Sequence, residues 1–282
     1  MREILGVKIT ASSYGETVEK SVAWTKQRES RAVFFANVHV VMEAFDDSSF
    51  RAKLNAADLV NPDGMPLVWG LRVLGERDAT RVYGPDATQV LLDAAQAAAI
   101  PVGFYGGSEE TLAKLIAEVR RRYPDLEIVF TMSPPFHPLE ADEDEEITRR
   151  ISNSGARMVF VGLGCPKQER WIMEHRGLIP AVMLGVGAAF DFLAGSKRQA
   201  PRWMMRNGLE WAFRLASEPR RLAGRYLKHN PRFVALFLLQ ILKGNDHMPE
   251  LLHANPYPIP VHSDDDSAPK QDAENVQSSR HT

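Results

Sequence analysis

The chain has 282 residues, 44% hydrophobic and 25% charged, with a formal net charge of −2, so it carries no global field for nucleic acid or an acidic partner. Cys165 is the single cysteine, which excludes an intramolecular disulfide and a cysteine-based metal site and fits a reducing compartment. The opening stretch MREILGVKITASSYGET lacks an apolar core of signal-peptide length, and no run reaches the roughly 18–20 apolar residues of a spanning helix, so a cytoplasmic location is expected.

In chain order, a short strand is expected at 4–9, a helix at 17–28 and a buried strand at 33–36 that ends in Asn37-Val-His39. A helix over 40–55 and a strand at 58–60 follow, the strand running into Asn61-Pro-Asp-Gly64, a sharp turn by its proline, aspartate and glycine content. Further helices are expected from 65, over 85–99, 108–122, 140–154 and 166–176, separated by strands at 102–105, 126–130, 158–161 and 181–186. Strands alternating with helices of 10–15 residues predict βαβ units. The expected fold is therefore α/β, a Rossmann-like parallel sheet with helices on both faces, over residues 1–195.

Composition changes after Gly195. Between Lys197 and Arg232 only Glu210 and Glu218 oppose a run of arginines and lysines, interleaved with Trp203, Trp211 and Phe213. Residues 221, 225, 228 and 232 share one helical face. Residues 196–244 thus read as a basic amphipathic helical appendage, suited either to a membrane surface or to plain packing with its arginines in solvent. No nucleic-acid motif accompanies it. Residues 245–282 are polar and proline-rich and read as a disordered tail.

Polar residues collect at the carboxyl ends of the expected strands: Asn37, His39, Asp63, Gly106, Gly107, Gly164, Lys167 and Gln168. In a doubly wound sheet these ends share one edge, so the residues should converge on one cleft. The stretch VFVGLGCPKQE, residues 159–169, breaks at Gly162 and Gly164 and restarts as a helix. Its amides could receive an anion, and Lys167 and Gln168 could meet a phosphate or a sugar hydroxyl. An ordinary strand-to-helix turn is the alternative. Asp63 is the one carboxylate of the set and could act as a base, or could bond its own turn. Cys165 at the helix start could be a nucleophile, although no base is near it in sequence. Neither Gly162-Leu-Gly164 nor Gly185-Val-Gly187 completes a dinucleotide fingerprint, and no P-loop is present, which disfavours hydride transfer and P-loop chemistry. Asp142-Glu-Asp144 has a metal-binding spacing but lies at an acidic helix start, where solvated carboxylates are expected.

Taken together, Asn37, Asn61-Pro-Asp-Gly-Met65, Arg81-Val-Tyr-Gly-Pro-Asp86, Phe104-Tyr-Gly-Gly107, Gly162-Leu-Gly-Cys-Pro-Lys-Gln-Glu169 and Gly187-Ala-Ala-Phe-Asp-Phe-Leu-Ala-Gly195 resemble, in order and spacing, the WecG/TagA/CpsF glycosyltransferases. The resemblance implies an inverting transferase that needs no metal and no other cofactor. It would move a hexose, of glucose or N-acetylmannosamine type, from a UDP-sugar to a polyprenyl-pyrophosphate-linked sugar in the synthesis of a surface polysaccharide. It implies a peripheral location on the inner face of the cytoplasmic membrane. By the same resemblance Asp63 is the general base, Arg81 a pyrophosphate ligand and Gln168 a sugar contact. Asn37, His39, Gly106, Gly107, Gly164 and Lys167 belong to the substrate pocket, and Arg202, Arg206, Arg214, Arg221 and Arg225 serve the membrane or the pyrophosphate. Phe35 stands where relatives often carry threonine, which turns the donor away from N-acetylmannosamine, and Asn37-Val-His39 looks closer to relatives that transfer glucose. A non-catalytic protein that binds a nucleotide-sugar or a lipid intermediate is the competing reading. The oligomeric state stays open.

Overall fold

The computed structural model describes residues 1–135 and 137–243, so the segment read as a disordered tail lies outside the described residues. The chain opens with an antiparallel hairpin of β1 (Arg2–Ile4) and β2 (Val7–Ile9). Leu5 and Gly6 turn it with φ of 49° and 80°, so the apolar run read as one strand is two. After helix α1 (Tyr14–Lys26), strand β3 (Arg31–Ala36) enters the core and ends at Asn37. The Asn37 side chain accepts from the amides of His39 and Val40 at 3.0 and 3.3 Å and so starts α2 (Val38–Asp46).

The single helix expected over 40–55 is broken at Asp47. Its Oδ1 accepts from the Phe50 amide at 2.9 Å, capping a separate α3 (Ser48–Asn55). Then follow β4 (Leu59–Pro62), α4 (Met65–Val73), α5 (Gly84–Ala97), β5 (Val102–Gly106), α6 (Glu109–Arg122), β6 (Ile128–Met132), α7 (Ala141–Asn153), β7 (Met158–Gly162), α8 (Lys167–His175) and β8 (Val182–Gly185). The chain continues through α9 (Ala189–Leu193), α10 (Arg202–Arg206), α11 (Glu210–Ser217) and α12 (Pro219–Lys243).

Among the described residues, six strands form one sheet in the order β4-β3-β8-β7-β5-β6, every neighbouring pair parallel. Alternation along each strand sends side chains to two cores. On β3, Phe34 and Ala36 join the hairpin and the helices α2, α3 and α8, whereas Val33 and Phe35 pack towards α5 and α9. Both faces are therefore buried, as a Rossmann-like sheet requires. Because every strand runs the same way, the loops after β3, β4, β5, β7 and β8 open on one edge.

Two glycines make that edge compact. Gly106 has φ 125°, and a Cβ there would lie 2.6 Å from the backbone of Gly162. At Gly162 itself a Cβ would strike the Phe190 ring at 2.6 Å. Helix α12 closes the molecule on the other side of α2, with Leu222, His229, Phe233 and Gln240 buried. Gln240 Oε1 accepts from the Leu5 amide at 3.0 Å and its Nε2 donates to the Glu3 carbonyl at 2.8 Å, so the last long helix is tied to the first hairpin. Among the described residues no helix is long and apolar enough to cross a membrane.

Candidate active site

The turn after β4 is positioned from below. Asn61 is fully buried; its Oδ1 accepts from Ser12 and Thr17 at 2.5 and 2.9 Å, and its Nδ2 donates to the Phe34 carbonyl at 3.1 Å. The Asp63 amide bonds the Ala36 carbonyl at 2.7 Å and the Val82 amide bonds the Pro62 carbonyl at 3.0 Å. With its backbone so held, Asp63 presents its carboxyl where two cavities meet.

The polar cavity, of about 310 Å³, lies over the strand ends and is lined by Gly107, the 162–165 loop, Gln168, Glu169 and the turn after β8. The second, of about 490 Å³, is walled by Met65, Trp69, Trp211, Tyr226, Leu227 and Val234 and is mainly apolar. Asn37, His39, Asp63, Arg214 and Arg225 line both. The cleft expected from the strand ends is thus present, with an apolar annex that α4, α11 and α12 build.

Arg81 sits at the junction. One of its terminal nitrogens donates to Asp63 Oδ1 at 3.1 Å and to Glu210 Oε2 at 2.5 Å, its Nε donates to the Asp63 carbonyl, and its guanidinium stacks on Tyr83 at 4.2 Å. Burial works against the guanidinium charge, but Asp63 and Glu210 overcome it and hold its pKa above the ordinary value. Arg81 is therefore engaged with the carboxylate it orients rather than offered as a free fork to a pyrophosphate. Burial pushes the Asp63 carboxyl up to about 6; Arg81 draws it down, and Glu210 pushes it further up. Such a group is ionised at neutral pH and basic enough to take a proton from a hydroxyl. Glu210 went unassigned in the sequence, although it is one of two acids in a long basic stretch.

The appendage arginines divide. Arg214, Arg221 and Arg225 line the polar cavity. Arg225 has no ion-pair or hydrogen-bond partner among the described residues, and burial lowers its pKa. Arg202 is exposed and pairs with Asp86 at 3.2 Å, and Arg206 is exposed; neither belongs to the walls of these two cavities. Part of the basic face of α12 reaches inward, where Arg232 and the half-exposed Lys228 meet Asp46 at 2.6 and 3.9 Å. The outward side mixes the exposed Arg220, Arg221 and Lys243 with an apolar set, Leu227, Val234, Leu238 and Leu242, which are 73%, 55%, 53% and 81% exposed.

The 162–169 turn also differs from expectation. Gln168 is buried, accepts from the Gly164 amide at 3.2 Å and donates to Glu169 Oε1 at 2.9 Å, so this amide is satisfied within the loop. Lys167 is exposed and lies outside both cavity walls, as does Gly106, whose role is the close strand approach. Burial pushes the Cys165 thiol well up, with Glu169 and Glu43 adding to it, which disfavours the thiolate that a nucleophile needs. Glu169 was missed in the sequence; it is 1% exposed, and burial raises its carboxyl to about 7. In the Asp142-Glu-Asp144 triplet, Asp144 is occupied by Trp171 Nε1 at 3.0 Å and His175 Nε2 at 3.1 Å.

The same chain is similar to proteins of known activity. An N-acetylglucosaminyldiphosphoundecaprenol N-acetyl-beta-D-mannosaminyltransferase of Bacillus spizizenii is 32% identical over 213 residues, covering 75% of this chain and 80% of the relative. A transferase of the same description from Bacillus subtilis is 27% identical over 214 residues, covering 76% and 81%. The sequence profile of the glycosyl transferase WecG/TagA/CpsF family matches residues 2–247, which takes in every residue of the two cavities. The chain belongs to the WecG/TagA/CpsF family of glycosyltransferases.

Proposed function

We propose that this glycosyltransferase moves a hexose from a UDP-sugar to a polyprenyl-diphosphate-linked sugar in the synthesis of a cell-surface polymer, working on the inner face of the cytoplasmic membrane. The observation that carries the reading is the junction: one carboxylate, Asp63, and two arginines, Arg214 and Arg225, belong to the walls of both cavities. The polar cavity over the strand ends suits the nucleotide-sugar, and the apolar one suits the first isoprene units of the acceptor. The printed activities of the two Bacillus relatives, which act on a diphosphoundecaprenol-linked sugar, support that acceptor class.

Charge then sets the roles. The acceptor hydroxyl attacks the anomeric carbon and its proton passes to Asp63 as the bond to UDP breaks. Negative charge grows on the leaving diphosphate, and Arg214, Arg221 and Arg225 are the cations placed to receive it. Arg81 keeps Asp63 oriented, while burial and Glu210 raise its affinity for a proton against the pull of Arg81. Gln168 and Asn37 shape the sugar pocket, and Phe35 gives it an aromatic wall in place of a hydroxyl. The exposed apolar side of α12, together with Trp69 and Trp203, at 45% and 60% exposure, suits shallow insertion into the membrane from which the acceptor is drawn.

The test is UDP release with a panel of UDP-hexoses, with and without polyprenyl-diphosphate-linked N-acetylglucosamine. Release from one donor that depends on the acceptor is expected. Release that ignores the acceptor, or none with any pair, overturns the proposal.

A further inference from the structure

Beside the Asp63 junction, and sharing His39 with both cavity walls, three ligand-type side chains meet where α12 crosses α2. His39 and Glu43 stand one turn apart on α2, and His229 comes from α12. His39 Nδ1 and His229 Nε2 both lie 3.5 Å from Glu43 Oε1, and one donor atom from each of the three residues falls within 4.8 Å of the others. These contacts are too long for good hydrogen bonds. The Nδ1 atoms of both imidazoles are buried and have no hydrogen-bond partner. His39 Nδ1 thus faces Glu43 without a hydrogen bond, and His229 turns its other ring nitrogen, Nε2, to the same carboxylate, an arrangement that is costly as plain packing.

We propose that His39, Glu43 and His229 form a binding site for a divalent transition ion of borderline softness, Zn2+ above all, which clamps α12 to α2. Two imidazoles and a carboxylate are a common donor set for such an ion. Bonds of about 2.0–2.1 Å in a tetrahedron place neighbouring donors about 3.3 Å apart, close to the spacing across Glu43. Arg225 and Lys228 nearby oppose a metal charge, and Asp46, already paired with Lys228 and Arg232, offsets them in part. The ion has no step in the transfer; it fixes the helix that carries Arg221 and Arg225.

The experiment titrates metal-stripped full-length protein with ZnCl2 in a calorimeter and follows hydrogen exchange of residues 219–243 with and without the ion. One saturable event is expected, with slower exchange in α12, and Glu43→Gln and His229→Ala should each weaken binding at least tenfold. His137→Ala, on an exposed loop, should leave it unchanged. All variants keep His247, His253, His262 and His281, which lie outside the described residues. Absence of saturable binding, or equal binding in wild type and Glu43→Gln, overturns the proposal. If His229→Ala fails to fold, Glu43→Gln decides alone, because it is isosteric and its side chain is one-third exposed.

Discussion

Replacing Glu210 by glutamine removes a charge without removing a shape. Glu210 and Asp63 each reach the same Arg81 nitrogen, at 2.5 and 3.1 Å, so their nearest oxygens are at most about 5.6 Å apart. Two unit charges at that distance repel by about 3 kcal/mol at an effective dielectric of about 20, which would be about 2 pH units on Asp63. The Arg81 guanidinium between them screens part of this, leaving about 1 unit as the working figure. Glu210→Gln also frees Arg81 to serve Asp63 alone, which lowers the Asp63 pKa in the same direction. In wild type the acid limb of kcat/KM should fall near pH 6, where Asp63 takes up its proton. In the variant the limb should move to about pH 5. The assay is UDP release under limiting donor from pH 4.5 to 8, with folding checked by circular dichroism at each end. A limb that stays at pH 6, or moves up, would refute the idea that Glu210 tunes the base.

The raised Asp63 pKa has a cost in stability whose sign is fixed by linkage. The carboxyl titrates near 6 in the fold against an ordinary 3.8, so the fold is favoured while the group is protonated and loses that advantage as pH rises through 6. Asp63→Asn should therefore be more stable than wild type by up to about 3 kcal/mol at pH 8 and about equal to it at pH 4, measured by thermal melts. Arg225→Ala should weaken UDP binding by about 10–100-fold, the loss expected for charge-assisted hydrogen bonds, without lowering Tm, because the guanidinium has no partner to abandon. Unchanged UDP affinity would remove Arg225 from the donor site. Leu238→Glu with Leu242→Glu, both on exposed positions, should cut sedimentation with anionic liposomes at least tenfold at unchanged Tm. Deleting the whole appendage is a poorer test, since Leu222 and Phe233 are buried against the core.

Short apolar runs between Gly/Pro turns, alternating with helices, made the sheet legible, because those signals are local. Boundaries failed where one side chain decides them. Asp47 splits α2 from α3 by capping, and Leu5 with Gly6 folds an apolar run back on itself. The convergence of Asn37, Asp63 and Gln168 followed from strand direction alone, since parallel strands bring their ends to one edge. The direction of the basic face did not. A helical wheel groups Arg221, Arg225, Lys228 and Arg232, but only tertiary packing shows that Asp46 and Glu43 of α2 wait opposite them. Glu210 was invisible for the same reason: its meaning comes from Arg81, more than a hundred residues away in sequence.

The central claim is that Asp63, at the meeting of the two cavities, takes the acceptor proton. Single-turnover transfer by Asp63→Asn, with the UDP-sugar Kd measured on the same preparation, tests it most directly. A fall of about 10²–10⁴ in rate is expected, the loss typical of a general base, with Kd kept within about threefold. Turnover equal to wild type, or a loss matched by lost donor binding, would contradict it.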